Sequence, residues 1–460
     1  MSQAARRPVA ALLGGALLLA ACGLTTPSPS RPAAGSASAH ESTAPTPAIG
    51  QVVPAPGSSS SVYRQNPGAI VVAIDPGHGG CLDWGVPDPR ARGAAFSEKV
   101  MTLAIGLQLK RLLEAQGITV VMTRQTDAAL AGDDYPALGC NGPPFRDVNG
   151  DGLAGFDPEG KTRTRDELQA RLDLVNLARA DLLVSIHINS ITESGVQFEV
   201  AATQTYYTDE TPWGVSATQH LARRVQDGVV AALRPVAPYD RQDRGISAVN
   251  LFIVAPPLFV TTPDRPDPVK QPARGALQPA ILTEVGSITL AAEQDLLLSA
   301  AGQAAAAQGI ANGLGNYFGD RPMAVRFDAQ LPGGKAGIPP DAIAGDGPPF
   351  WAPVVDAAAL TAGIAVEMTN TGTVSWPANL RVMAGWSLSQ DPYLRAPPQG
   401  LLPLGSPLPA LAPGEAVDVM LHLSRPAGSG RQIAWITIAD GAQTLAELGS
   451  PPLQLATALR

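Results

Sequence analysis

Between residues 69 and 318 the chain alternates between compact apolar runs bounded by turn residues and segments whose apolar positions recur every three or four residues. That order predicts strands and helices in turn. "AIVVAIDP" reads as a first buried strand. Ser97 then stands where it can cap a helix carrying Val100, Leu103 and Leu107 on one face, and "GITVVMTR" follows as the next strand. "RDELQARLDLVNLARA", with Leu168, Leu172 and Val175 at helical spacing, leads into the strand "DLLVSIHI". "QFEVAATQTYY" predicts more strand, residues 213–233 a helix, "NLFIV" and "PAILTEVGS" short strands, and the Ala-rich stretch to Phe318 a closing helix. Insertions at 128–161 and 256–276 interrupt the pattern. The alternation is that of an α/β layer fold, a sheet flanked by helices.

The pattern changes beyond Asp320. A Gly/Pro-rich linker (321–350) precedes "AGIAVEMTNTG", "NLRVMAGWSL", "EAVDVMLHLS" and "RQIAWITIAD", short alternating runs that predict an all-β sandwich over 351–460. At the other end, Arg6 and Arg7 precede an apolar run at 9–21 that is too short to span a bilayer and reads as an export signal. Its end, Leu19-Ala20-Ala21-Cys22, resembles the lipobox of bacterial lipoproteins, which implies a signal at 1–22 and a lipid on Cys22. Acyl chains there would anchor the chain to the membrane outside the cytoplasm, each buried methylene contributing roughly 0.8 kcal/mol. Residues 23–67 are rich in Ser, Pro, Ala and Gly, with too little apolar surface to offset ordering, and are expected to be a disordered tether. The catalytic candidate is thereby bounded to 68–320.

With 460 residues, 45% hydrophobic and 16% charged, the chain is long enough for more than one core. A net charge of −8 without a dense basic run argues against a nucleic-acid partner. Outside the cytoplasm Cys81 and Cys140 can oxidise to a disulfide; two separate buried thiols, or Cys81 as a metal ligand near His78, are the other readings.

Four polar residues stand where a core would not place them: His78 ending the first strand, Glu98 opening the first helix, His187 ending another strand, and Glu284 within "ILTEVGS". The carboxyl ends of strands in such sheets line a shared crevice. Two imidazoles and a carboxylate suit catalytic zinc, with the fourth position left for water, and Glu284 would be the spare carboxylate that handles the water's proton. Gly77, Gly79 and Gly80 would let the histidine turn take unusual dihedrals and keep it clear of side chains. Each residue also has a structural reading, a histidine satisfied at a strand end or a glutamate facing the helix macrodipole. Within the insertion, "DVNGDGLAGFD" places Asp147, Asn149 and Asp151 at alternate positions with Gly152 sixth, the front half of a Ca2+ loop that Asp157 could complete; a solvated acidic turn is the simpler reading.

"VVAIDPGHGG", "FSEKVMTLAIGLQLKRLLEAQGITVVMTR", "DLLVSIHINS" and "PAILTEVG", in that order, resemble the zinc-dependent N-acetylmuramoyl-L-alanine amidases over residues 69–318. The resemblance implies a twisted mixed sheet flanked by helices, Zn2+ held by His78, Glu98 and His187, Glu284 as the catalytic carboxylate, and as substrate the amide joining N-acetylmuramic acid to L-alanine in peptidoglycan. Ser287 and Leu290 stand where relatives commonly carry the phenylalanine of Glu-x-Gly-Phe and an asparagine shortly after, and Cys81 after the glycine pair is unusual. The Pro/Gly-rich insertion argues against the inhibitory helix some relatives carry. A zinc peptidase acting on stem peptides and a wall-binding scaffold without turnover are the alternatives. "VEMTNTGTVSWP", "LAPGEAVDV" and "IAWITIADG" resemble a tryptophan-rich immunoglobulin-like domain, with Trp376 and Trp435 as core fillers. No chemistry is assigned to His40, His220 or His422.

Overall fold

The computed structural model describes residues 50–54, 70–148, 154, 163–178, 180–193, 196–209, 215–255, 275–276, 278–329, 354–388, 400–424 and 432–457. The expected signal with Cys22, His40, and all of the expected tether but 50–54 lie outside the described residues.

After an N-terminal strand, β1 (Gly50–Pro54), the chain runs β2 (Val71–Pro76), α1 (Glu98–Glu114), β3 (Thr119–Met122), the short pair β4 (Asp134–Tyr135) and β5 (Cys140–Asn141), and α2 (Arg163–Leu177). Then come β6 (Leu182–Asn189), the short pair β7 (Thr192–Glu193) and β8 (Val196–Gln197), β9 (Ala202–Tyr207), α3 (Val215–Leu233), β10 (Gln242–Ala248), β11 (Ala280–Ser287), α4 (Ala291–Leu298) and α5 (Ala300–Gly319). Six of these strands form one sheet, ordered β10-β9-β11-β6-β2-β3. From β3 to β11 the neighbours are parallel, while β9 runs antiparallel to β11, which makes the sheet mixed.

The sheet is covered on both faces, and so its central strands are apolar at successive positions. Val72 and Ile74 pack with Met101, Ile105 and Leu109 of α1 in a core that also takes in α3 and α5. Val71 and Ala73 face the other way, onto Leu172 and Val175 of α2 and the segment from Leu251 to Val254. Each such side chain contributes about 1.5–3 kcal/mol on burial. The helical face expected at Val100, Leu103 and Leu107 is displaced: Met101, Ile105, Leu109 and Leu113 are the buried stripe, because those positions overlie the apolar centre of β2 and β6, and the expected three sit half-buried at its margin. Ser97 precedes α1, yet its hydroxyl donates to the Ala94 carbonyl at 2.7 Å instead of capping the helix. "NLFIV" forms a buried turn, not a strand; the strand beside β9 is the more polar Gln242–Ala248, an edge that has no need of a two-sided apolar pattern. The closing helix is broken at Ser299, whose side chain accepts from the Gly302 amide at 3.1 Å and starts α5.

Among its described residues the C-terminal part is all-β apart from one short helix. It contains β12 (Val325–Ala329), β13 (Val354–Val355), α6 (Ala357–Ala362), β14 (Ile364–Asn370), β15 (Arg381–Leu388), β16 (Leu402–Leu404), β17 (Ala416–Leu423), β18 (Gln432–Asp440), β19 (Gln443–Thr444) and β20 (Leu453–Thr457). Two sheets, β1-β17-β14-β12 and β13-β20-β18-β15-β16, enclose a core of residues such as Val366, Leu421, Ile436 and Trp376. Trp376 and Trp435 are both buried, as core fillers should be. Two stretches read from sequence as tether and linker contribute edge strands here: Gly50–Pro54 pairs antiparallel with β17, and Val325–Ala329 with β14. Five-residue segments carry too little pattern to stand out from Pro/Ala-rich surroundings, and their order comes from the backbone of a distant neighbour. Among the described residues no helix is long and apolar enough to cross a membrane.

Candidate active site

The turn after β2 is where the chain leaves regular structure. His78 takes a left-handed φ of 62°, uncommon for a residue with a side chain, and Gly79 and Gly80 follow at 138° and 76°. This brings the His78 imidazole back toward the start of α1, where Nε2 lies 3.2 Å from Glu98 Oε2. Glu98 is buried and fixed by backbone: its Oε1 accepts from the Ile188 amide at 2.9 Å and its Oε2 from the Val86 amide at 2.8 Å. His187, at the carboxyl end of β6, places Nδ1 2.9 Å from Glu98 Oε1. The two imidazoles meet edge to face with centroids 4.8 Å apart. One ligand atom from each of His78, Glu98 and His187 lies within 4.8 Å of the others, the one such grouping of His, Cys, Asp or Glu among the described residues.

Glu284 completes the row. In the sheet register it sits opposite His187 on β6 and opposite Gln204 on β9. Its carboxylate is buried, and Oε2 has no hydrogen-bond partner among the described residues. Burial, and then the negative charge of Glu98, push its pKa well above the usual carboxylate range, with His78 pulling the other way. Glu98 itself is held well below that range: burial opposes ionisation, but the charge on His78 and hydrogen bonds from both imidazoles outweigh it. His78 is correspondingly raised, burial opposing and the charges of Asp83 and Glu98 prevailing.

Two imidazoles and a carboxylate are the donor set of a catalytic zinc site. The backbone around them is shaped to leave the donors room. A Cβ on Gly77 would lie 2.4 Å from the His187 ring, and one on Gly85, whose φ is 65°, 2.4 Å from Glu98 Oε2 and 2.5 Å from His78 Cδ2. With a cradle that a methyl group would fill and an orphaned carboxylate beside it, the residues present fit a zinc ion.

Several contributors escaped the sequence reading. Asp83 Oδ1 lies 2.7 Å from His78 Nδ1, the carboxylate–imidazole contact that orients a metal-ligating histidine. Its position five residues on, inside a glycine-rich turn, was the available signal. Gly85 was missed for the same reason. Gln204 donates to Ser247 at 2.9 Å and accepts from Tyr206 at 3.1 Å, a polar row continuing past Glu284. Burial and the charge of Glu284 push the Tyr206 phenol up to about 12.

Cys81 and Cys140 are joined as a disulfide with a Cα–Cα distance of 5.7 Å, tying the histidine turn to the insertion. Asp133, from that insertion, accepts from the Cys81 and Leu82 amides. Of the calcium-loop candidates only Asp147 is described; Asn149, Asp151 and Asp157 lie outside the described residues. Ser287 is fully buried against Thr289 at 2.7 Å, whereas Leu290, which precedes α4, is half-buried. His220 bonds Asp320 at 3.0 Å, and His422 Nδ1 lies 3.3 Å from the Thr361 carbonyl, each away from the cluster.

The model of the N-acetylmuramoyl-L-alanine amidase family Amidase_3 matches residues 72–316, more than half of the chain. Similar relatives include the germination-specific N-acetylmuramoyl-L-alanine amidase of Bacillus subtilis, 25% identical over 255 residues that make up 55% of this chain and 82% of that protein. The sporulation-specific N-acetylmuramoyl-L-alanine amidase of the same species is 24% identical over 251 residues, 54% of this chain and 68% of the relative. The crystal structure of N-acetylmuramoyl-L-alanine amidase from Clostridium difficile 630 aligns with 54% of this chain and 97% of its own, at 24% identity and a TM-score of 0.36. The chain that gathers His78, Glu98 and His187, with Glu284 beside His187 in the sheet, belongs to the N-acetylmuramoyl-L-alanine amidase family of enzymes.

Proposed function

We propose that the protein hydrolyses the amide between N-acetylmuramic acid and L-alanine in peptidoglycan, with zinc held by His78, Glu98 and His187. The observation that carries this reading is a buried, unpartnered Glu284 oxygen in the same sheet row as His187. A zinc ion held by these three residues would supply Lewis acidity and make water easier to deprotonate near neutral pH. Asp83 holds the His78 ring, and the Ile188 and Val86 amides hold the Glu98 carboxylate. Glu284, buried beside His187 with an unpartnered Oε2, takes a proton from the attacking water and passes it to the departing amine of alanine, as a general base and then acid. Lipidation at Cys22 would place this activity at the membrane face of the wall, and the C-terminal β unit is read as an immunoglobulin-like accessory module.

Purified protein incubated with peptidoglycan should release stem peptides that begin with L-alanine, read by mass spectrometry. Glu284→Gln should lower the rate by about 10²–10⁴-fold, the usual contribution of a positioned acid–base group, while zinc content stays near stoichiometric. Cuts within the stem peptide would identify a peptidase instead. Binding to the wall without release would identify a scaffold, and loss of zinc in Glu284→Gln would remove its role as a non-ligand.

A further inference from the structure

The mechanism leaves four buried charges beside the metal cradle unused: Asp75, Arg124, Glu167 and Arg171 are each nearly inaccessible. Ions are costly to remove from water, and well-packed apolar groups would serve stability at least as well, so such a cluster calls for a role that depends on geometry. Its hydrogen bonds converge on one place. Arg171 donates to the Pro76 carbonyl at 2.9 Å and the His78 carbonyl at 2.7 Å, while bonding Asp75 at 2.8 Å and Glu167 at 2.7 Å. Arg124, from the end of β3, donates to the Pro76 carbonyl at 2.8 Å and the Gly77 carbonyl at 2.9 Å, and also to the Lys99 carbonyl at 2.7 Å. Thr102 adds a second donor to the Gly77 carbonyl at 2.8 Å. Three successive carbonyls are thus held from the side, where the left-handed φ of His78 stops β2 from continuing its sheet pairing.

We propose that Arg124 and Arg171 are positioning residues of the active site: together they grip the Pro76, Gly77 and His78 carbonyls and so fix the turn that aims the His78 imidazole at Glu98. The inference rests on the reading of His78 as a metal ligand. A guanidinium suits the task because its planar fork reaches several acceptors at once, whereas a lysine keeps the charge but offers a single compact donor head. Arg171 also reaches into the insertion, since the Glu167 carboxylate that it bonds accepts from the Leu130 and Ala131 amides at 2.7 and 2.8 Å.

The test is zinc affinity by chelator competition, together with melting of the metal-free protein, for Arg124→Lys, Arg171→Lys and the nearly isosteric Thr102→Val. Leu314→Ala, a cavity in the core formed with α5, serves as a destabilised control at a residue that makes none of the hydrogen bonds to the turn. The lysine variants should weaken zinc roughly 10–100-fold, as loss of outer-shell support does, with a smaller loss in the same direction for Thr102→Val. Leu314→Ala should melt earlier but bind zinc as the wild type does. Wild-type affinity in the lysine variants and Thr102→Val, or losses no larger than in Leu314→Ala, would overturn the proposal and leave the metal reading intact. If one lysine variant does not fold, the other and Thr102→Val decide. A wild-type protein that takes up no zinc would overturn the metal reading and the clamp with it.

Discussion

Replacing Asp75 by asparagine tests whether the charge beneath the histidine turn is as tightly held as its contacts indicate. Asp75 is buried; Oδ1 accepts from Arg171 at 2.8 Å and Thr123 at 2.6 Å, and Oδ2 from Ser185 at 2.6 Å. Burial alone would raise its pKa, but the Arg171 charge and these hydrogen bonds outweigh it and bring the carboxyl down from 3.8 to about 2. At 1.36 kcal/mol per pKa unit, that difference corresponds to about 2 kcal/mol of stability at neutral pH. The neutral amide would in addition leave Arg171 with Glu167 as its one carboxylate partner among the described residues, so the full cost of the substitution lies between about 2 and 5 kcal/mol. The sign follows from the lowered folded pKa: the contribution is present above 3.8 and is lost as pH falls through about 2. Urea unfolding of wild type and Asp75→Asn at pH 7, 5 and 3 should show a gap of at least about 2 kcal/mol at pH 7 that narrows between pH 5 and 3. A gap under about 0.5 kcal/mol at pH 7, the size of an ordinary surface substitution, or one that widens toward acid, would refute the reasoning.

Gly85→Ala puts a methyl carbon 2.4 Å from Glu98 Oε2 at a φ of 65°, and it should cut zinc uptake, measured by titration with a chromogenic chelator. The strained backbone costs about 1–2 kcal/mol in addition. Cys81→Ser with Cys140→Ser opens a loop of sequence separation 59 and should cost about 4 kcal/mol by loop-closure entropy, read as a lower urea midpoint. Reduction of the wild type should reproduce that shift, and an unchanged midpoint would show that the insertion is held by Asp133 and Glu167 alone.

Much of the first unit was legible because local pattern and tertiary role coincide there. A strand buried on both faces must be apolar at successive positions, and "VVAID" and "LLVSI" could be little else. The four chemistry-bearing residues were visible as exceptions: His78 and His187 at the ends of apolar runs, Glu284 within one, and Glu98 at the start of a helix. Where the two roles separate, the sequence misled. The edge strand Gln242–Ala248 is polar because half its surroundings are solvent, and "NLFIV" is apolar because it is a buried turn packed under the sheet. On α1, periodicity alone allowed two neighbouring faces, and contact with β2 and β6 selected Met101, Ile105 and Leu109 over Val100, Leu103 and Leu107.

The amino-acid sequence by itself determined the kinds of donor available, the alternation that builds a layered sheet, and the family to which that pattern leads. Only the folded chain decided how the donors meet. Glu98 is oriented by the Ile188 and Val86 amides, Asp83 turns the His78 ring, and Arg124 and Arg171 hold the carbonyls of the turn. These contacts join residues from about 5 to 93 positions apart. Periodicity reports what lies beside a residue along the chain, whereas hydrogen bonds of this span exist only once distant backbone segments have been brought within about 3 Å.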